Sequence, residues 1–231
     1  MMTRDTDSER WGKVKDIVRS DGDHDIELGQ YWRHMLAVDA KHAAFALSRY
    51  KFACKMLMWR KGLTVLELGC NEAWGVMMLQ QETALKRYVG VDLDGEAIAW
   101  NEKNLRSDTI EFHEANFFDM DIKEQFDVVI SLDVIEHIEP TMERRFCQVI
   151  IDHLKSSGVA IIGTPNVTMS PYAGPESRAG HINLYDQDRL YDLLDGFFEN
   201  VFIFGMNDEV VHTGFAPMSC YIFAVCAGKR G

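Results

Sequence analysis

Asp133, Glu136 and His137 fall in one run, Asp133-Val-Ile-Glu136-His137, directly after the apolar stretch Phe126 to Leu132. Two carboxylates and an imidazole spaced by three and four residues share a face if the run turns helically. Such a set can hold a hard divalent cation such as Mg2+ and polarise a hydroxyl. His137 can instead serve as a general base, because unperturbed imidazole titrates near neutrality. The plain alternative is a pocket wall with a helix-entry network. His181, between Gly180 and Ile182, is a second candidate base, or else a loop anchor. Asp133, His137 and His181 are thus the catalytic candidates, and Asp133, Glu136 and His137 the metal candidates. Arg178 and Tyr185 are weaker candidates for binding an acceptor.

A second constellation lies upstream. Residues 64 to 75 read Thr-Val-Leu-Glu-Leu-Gly-Cys-Asn-Glu-Ala-Trp-Gly, and residues 88 to 92 read Tyr-Val-Gly-Val-Asp. A short apolar strand, a turn opened by Gly69 and an apolar helix begin a nucleotide-binding βαβ unit. An acid at the end of the next strand, here Asp92, can accept hydrogen bonds from both hydroxyls of a ribose. Cys70 in this turn reads as a small buried thiol and not as a nucleophile.

These residues need a frame. Alternating segments supply it: strand 64–68, helix 74–86, strand 88–92, helix 95–105, strand 110–113, strand 126–132, helix 141–154 and strand 158–164. Alternation of this kind implies a parallel sheet covered on both faces. From Gln30 to Arg60 there is no Gly or Pro, and apolar residues recur at helical spacing, so one or two helices precede the sheet. Tyr31, Trp32, Arg33 and His34 are candidates for a lid over the nucleotide. Residues 165 to 183 hold three of the five prolines and read as a long substrate loop. Asp186 to Leu194 reads as a helix, followed by closing strands near 202–204 and 219–226. Residues 1 to about 25 are polar and are expected to be frayed.

Composition narrows the function. The chain has 231 residues, 47% of them apolar, with 36 acids against 24 basic residues and a net charge of −12. That is one α/β domain with a small extension: a helical segment 1–62 and a domain 63–231 that carries the loop 165–185. The acidic balance argues against nucleic acid as the main partner. No apolar stretch is long enough to span a membrane, and the N-terminus lacks the apolar run of a signal peptide. The five cysteines are scattered without metal-ligand spacing, which favours reduced thiols and a cytoplasmic protein.

The ordered run Glu67-Leu-Gly69-Cys, Gly90-Val-Asp92, Phe126 to His137 and Gly158-Val-Ala-Ile-Ile-Gly-Thr-Pro-Asn166 resembles the class I S-adenosylmethionine-dependent methyltransferases. The likeness covers roughly residues 60 to 165. Asp-Val-Ile-Glu-His and the later Gly-His-Ile look most like the small-molecule branch, which includes ubiquinone-biosynthesis O-methyltransferases and sugar and natural-product methyltransferases. The resemblance implies a Rossmann-like, doubly wound, seven-stranded sheet with an antiparallel last strand. It implies S-adenosyl-L-methionine (SAM) as cofactor, with Glu67, Gly69, Asn71 and Gly75 forming its turn. Asp92 would hold the ribose, with Leu93 beside it. Asn116 would face the adenine amine, Phe117 would offer a backbone amide or an apolar contact, and Leu132 would line the pocket. The family usually has Gly where this chain has Asn71 and Ala73. Asn tolerates a left-handed backbone, and Ala is the smallest step from Gly. The implied acceptor is a small molecule, most plausibly a hydroxyl of a sugar or other metabolite, handled by a monomer or homodimer. A small amine, a protein or RNA acceptor, and a cofactor-binding protein without catalysis are the alternatives, and a dehydrogenase on the same sheet is disfavoured by the lack of Gly-x-Gly-x-x-Gly.

Overall fold

In the computed structural model the described residues are 6–20 and 27–230. The polar N-terminal reading is only partly met. Residues 1–5 and 21–25 of it lie outside the described residues, while Asp7–Ser20 forms a helix, α1, that buries no residue. Helices α2 (Gln30–Val38) and α3 (Ala40–Leu57) precede the sheet, as the uninterrupted apolar periodicity requires. The chain then alternates: β1 (Thr64–Leu68), α4 (Gly75–Thr83), β2 (Arg87–Asp92), α5 (Gly95–Asn104), β3 (Ile110–Glu114), β4 (Phe126–Leu132), α6 (Glu143–His153) and β5 (Leu154–Pro165). Asp94 starts α5 by accepting the amides of Glu96 and Ala97 on its side chain, the usual way a helix satisfies its first donors.

The strands lie in the order β3-β2-β1-β4-β5-β8-β6-β7 in one eight-stranded sheet. From β3 to β5 all pairings are parallel. β8 (Tyr221–Lys229) runs antiparallel to both β5 and β6 (Phe198–Asn207). The seven-stranded expectation is therefore short by one. The extra strand is β7 (Val210–His212), which folds back on β6 as a hairpin through Asp208 at φ 50°. Three partly exposed residues at a sheet edge carry too little pattern to read as a strand.

Two apolar clusters cover the two faces of the sheet. Leu66, Leu68, Val89 and Val91 belong to one, and Val65, Tyr88, Val128 and Ile130 to the other. Burial on both faces explains why the central strands read as nearly continuous apolar runs. The chain leaves β1 toward β2 and β3, then returns on the other side of β1 to β4 and β5. This reversal opens a crevice at the carboxyl ends of β1 and β4, where open α/β sheets bind ligands. Gly69, Asp92 and Asp133 all follow strands at that edge.

The segment after β5 is not a bare loop. It contains a 3-10 stretch, Val167–Tyr172, and a short helix, α7 (Pro175–Gly180), before α8 (Gln187–Asp195). Pro171 and Pro175 sit inside these short turns, which hid their helical character in the sequence. Among the described residues no helix is long and apolar enough to cross a membrane.

Candidate active site

The turn after β1 is held from every side. Gly69 has φ +75°, and an added Cβ would overlap the Val134 side chain, so glycine is required there on both counts. Gly69 and Cys70 donate to the carbonyl of Val91, at 2.8 and 3.1 Å. Asn71 adopts φ 42°, the left-handed backbone that glycine would otherwise supply, and its amide donates to Asp92 Oδ2 at 2.7 Å. Asn101 of α5 closes the turn from the far side: its Nδ2 donates to the Asn71 carbonyl at 2.6 Å, and its Oδ1 accepts from the Ala73 amide at 2.9 Å. Asn101 is fully buried. Sequence reasoning missed it, since nothing in an isolated Asn on a helix points across to a turn thirty residues earlier.

Gly75 has a different role from the one the resemblance implied. A Cβ there would run into the Tyr50 ring, so its smallness serves the packing of α3 on α4. Tyr50 in turn donates to Glu67 Oε1 at 2.6 Å, and the Tyr88 hydroxyl donates to Glu67 Oε2. Glu67 is fully buried and both its oxygens are occupied by tyrosines. Its place is beneath the turn, as a brace. Burial pushes its carboxyl up to about 7 against the pull of the two hydroxyls, with the nearby Asp92 adding to the rise. Cys70 is 2% exposed, and burial holds its thiol well above the usual range. It stays a neutral thiol, as its position in the turn implied.

Asp92 stands at the rim. One oxygen accepts from Asn71 and the other from the Asp94 amide at 2.9 Å. Each carboxylate oxygen has a second lone pair free for a ribose hydroxyl. Leu93, 65% exposed, presents an apolar surface beside it. Asn116 is exposed, and its Oδ1 accepts from the Phe118 amide at 3.0 Å, leaving one lone pair for an amine donor. The Phe117 ring packs against Phe118 and Phe146 in the core, so of its two implied contacts only the backbone one survives. Leu132 is 6% exposed at the end of β4. Asn71, Asp92 and Asn116 thus lie at or just past the carboxyl ends of β1, β2 and β3.

The acidic and histidine residues divide differently from the sequence reading. Asp133, at φ 58°, directs its carboxylate to Arg49 of α3. Arg49 is nearly enclosed and lies 4.2 Å from the centre of the Tyr221 ring. Burial opposes its charge, but Asp133, Tyr221 and Glu136 together more than offset burial and keep it protonated. Asp133 is thereby engaged in an ion pair and falls outside the metal-ligand cluster, contrary to its placing among the metal and base candidates. The cluster that forms is Glu136, His137 and His181, whose ligand atoms lie within 4.8 Å of one another. His181 replaces Asp133 because the segment around α7 folds back onto the 3-10 turn Ile135–His137, a contact with no local sequence signal.

Glu136 is fully buried, and its Oε2 accepts from the Thr164 hydroxyl at 3.1 Å. Its Oε1 is buried with no partner. An orphaned oxygen on a carboxylate that clusters with two imidazoles fits a cation. Burial, and then the charge of Asp133, push this carboxyl up to about 8. The His137 and His181 rings meet edge to face, 4.9 Å between centres. Burial, and then the proximity of His137, hold His181 below the usual imidazole range, which favours a ring available as ligand or base. Of the weaker candidates, Tyr185 is fully buried and donates to Glu143, so it does not face an acceptor. Arg178 is exposed and bonds within its own loop to the Pro171 carbonyl.

The N-terminal helices close over the turn. Glu72 accepts the amides of Tyr31 and Trp32, at 2.7 and 3.1 Å, at the start of α2. Trp32 packs on Trp74, and Trp74 stacks on Trp100 at 5.6 Å.

Residues 65–158 match the family model described as a methyltransferase domain. The mouse (Mus musculus) small RNA 2'-O-methyltransferase is 25% identical over 136 residues, which cover 53% of this chain and 34% of the relative. The chain thus spans about a third of the length of the curated relatives it matches. Among solved structures, small RNA methyltransferase HEN1 superposes with a TM-score of 0.67 at 17% identity, over 81% of this chain and 26% of that one. N-methyltransferase NodS from Bradyrhizobium japonicum, solved with S-adenosyl-L-homocysteine, gives 0.61 at 16% identity, over 80% and 87%. At these identities the likeness is one of fold: Rossmann-like, with a mostly parallel sheet and antiparallel closing strands.

Proposed function

We propose that the protein is a SAM-dependent methyltransferase that methylates a hydroxyl, with Glu136, His137 and His181 holding a divalent cation such as Mg2+ beside the acceptor oxygen. The orphaned Oε1 of Glu136, a residue whose carboxylate clusters with two imidazoles, their ligand atoms within 4.8 Å of one another, carries this reading. When bound, SAM supplies an electrophilic methyl carbon, and a divalent cation makes a coordinated hydroxyl more acidic.

The residues of this chain do the rest. Asp92 and the braced turn orient the nucleoside. Glu67, under the turn, keeps it rigid. Arg49 and Asp133 neutralise each other at the crevice floor. His181, as a ligand, would fix the cation beside the acceptor, whose hydroxyl proton leaves to water as the oxygen lone pair bonds to the methyl carbon and the C–S pair returns to sulfur. A sugar or other small metabolite is the favoured acceptor on the strength of the −12 net charge, which disfavours a polyanion. A ribose hydroxyl of RNA is the second reading, supported by relatives named small RNA 2'-O-methyltransferase. A cytoplasmic location accords with five free cysteines, four of them buried.

Transfer of a labelled methyl group from SAM to panels of sugars, hydroxylated metabolites, amines and short RNA, with added Mg2+ or with chelator, tests the proposal. Hydroxyl methylation that chelator abolishes is the expected result. Amine methylation indifferent to chelator overturns it. In the same assay His181→Ala leaves SAM affinity within about twofold but lowers turnover by about tenfold or more, the scale of loss when a metal site is weakened. Normal turnover in that variant removes His181 from the reaction.

A further inference from the structure

The position of His181 relative to Glu136 and His137 is set by neither a strand ladder nor a helix. It depends on residues 180–183 docking onto residues 136–137. The amides of Ile182 and Asn183 both donate to the Glu136 carbonyl, at 2.9 and 3.0 Å. His137 Nδ1 lies 2.9 Å from the Gly180 carbonyl oxygen. These contacts bring the two imidazoles together, but three hydrogen bonds do not by themselves hold a segment in one place.

Beneath them is a polar knot that the proposed chemistry does not use. The Asn183 side chain is 2% exposed. Its Nδ2 donates to the Tyr185 hydroxyl at 2.8 Å and to Glu143 Oε2 at 3.3 Å. Its Oδ1 accepts from Arg189 Nη2 at 2.5 Å. Glu143 Oε2 also accepts from the Tyr185 hydroxyl at 2.7 Å and from Arg189 at 2.8 Å. The Arg189 guanidinium lies over the Tyr185 ring at 4.1 Å and donates to the Leu184 carbonyl. Tyr185 is itself fixed to the end of β5, where it bridges Asn166 and accepts from the Val167 amide at 2.8 Å. The knot joins the first turns of α6 and α8 to the chain just past His181. A hydrogen-bonded network of this kind, with Asn183 and Tyr185 buried and Glu143 and Arg189 half-buried, favours one arrangement of the backbone around it. Asn183 belongs to both layers: its main chain grips Glu136, and its side chain is gripped by the knot.

We infer that Asn183, clamped by Glu143, Tyr185 and Arg189, is a positioning residue that sets His181 against Glu136 and His137. The inference rests on the reading of those three residues as a cation- and acceptor-binding cluster. The rival is that the knot only joins α6 to α8, in which case removing the Asn183 amide lowers stability and leaves the cluster geometry alone.

Two readouts on the full chain decide it. The first is the set of nuclear Overhauser cross-peaks between the imidazole protons of His137 and His181 in metal-free protein with labelled histidine. The second is Co2+ affinity, read from its visible absorption. Asn183→Ala is expected to lose the cross-peaks and to weaken Co2+ binding by about tenfold or more, as removal of supporting partners around metal ligands does, while SAM affinity stays within about twofold. Tyr185→Phe, which keeps the ring and removes one link of the knot, should fall between wild type and Asn183→Ala on both scales. Glu136→Gln should lose Co2+ and keep the cross-peaks, separating ligation from positioning. If wild type binds no Co2+, the cation reading fails and the cross-peaks alone decide the positioning role. Asn183→Ala with cross-peaks and Co2+ affinity intact overturns the inference. If that variant does not fold, unchanged values in Tyr185→Phe overturn it instead.

Discussion

Asp92 illustrates how one side chain serves two structures at once. Its two oxygens accept the amides of Asn71 and Asp94, which joins the turn after β1 to the end of β2, and its remaining lone pairs face the crevice. Asp92→Ala is expected to weaken SAM binding by roughly 1.5–3 kcal/mol, the worth of hydrogen bonds to a charged group. Calorimetric titration of the folded variant checks this, and unchanged affinity ends the ribose assignment. Glu67 makes a separate prediction. Its carboxyl rises from about 4.5 unfolded to about 7 folded, so the native state binds the proton more tightly between those values. The stability this brings is fully present below pH 4.5 and is lost as pH rises through 7, a swing of about 3 kcal/mol. Glu67→Gln does not ionise, so the fall in Tm between pH 5 and 7.5 should be shallower than in wild type. An equally steep fall would mean that Glu67 is already ionised across this range. Glu136 titrates in the same direction, so the difference between variant and wild type, and not the absolute slope, carries the test.

At the scale of elements, the turn after β1 shows how a chain lacking two of the usual glycines still makes it. Asn71 supplies the left-handed residue, and Asn101 ties the Asn71 carbonyl and the Ala73 amide to α5. Asn101→Ala orphans one buried donor and one acceptor, at a cost of about 1–3 kcal/mol. Urea unfolding should show that loss, and SAM affinity should fall with it; full stability would mean that the turn holds itself. The elements were legible to very different degrees. β4 reads from Phe126 to Leu132 in the sequence and in the fold, because a strand buried on both faces is a continuous apolar run bounded by polar residues. The segment after β5 read as a loop, although it carries α7 and a 3-10 stretch, because turns so short have no room for a helical period. β7 was invisible for the same reason.

At the scale of the whole molecule, α2 is fastened to the turn after β1 and not merely laid beside it. Glu72 is a residue of the turn, yet its carboxylate caps the first amides of α2, where a negative charge is favoured by the helix dipole. Trp32, Trp74 and Trp100 continue the joint into α5. The turn and α2 should therefore move together. Glu72→Ala is expected to speed amide exchange at Tyr31 and Trp32 by about tenfold, corresponding to a lost cap of ~1–2 kcal/mol, and to weaken SAM binding. Hydrogen exchange read by mass spectrometry on residues 28–38 checks it; unchanged protection would show that α2 docks through its apolar face alone.

What the sequence determined by itself were the features that local physics dictates. Buried parallel strands need apolar runs, a left-handed turn needs Gly or Asn, and an acid at a strand end needs only its place in the order of elements. Hence the Rossmann-like sheet, the Gly69 turn and Asp92 were all legible, as was the candidacy of Glu136 and His137. The tertiary structure decided which of several polar residues meet. Arg49 withdrew Asp133 into an ion pair, and residues 180–183 brought His181 to Glu136 in its place. Asn101 and Glu72 became joints between elements. These choices depend on contacts between segments thirty to eighty residues apart, and no periodicity along the chain encodes a partner that lies across the fold.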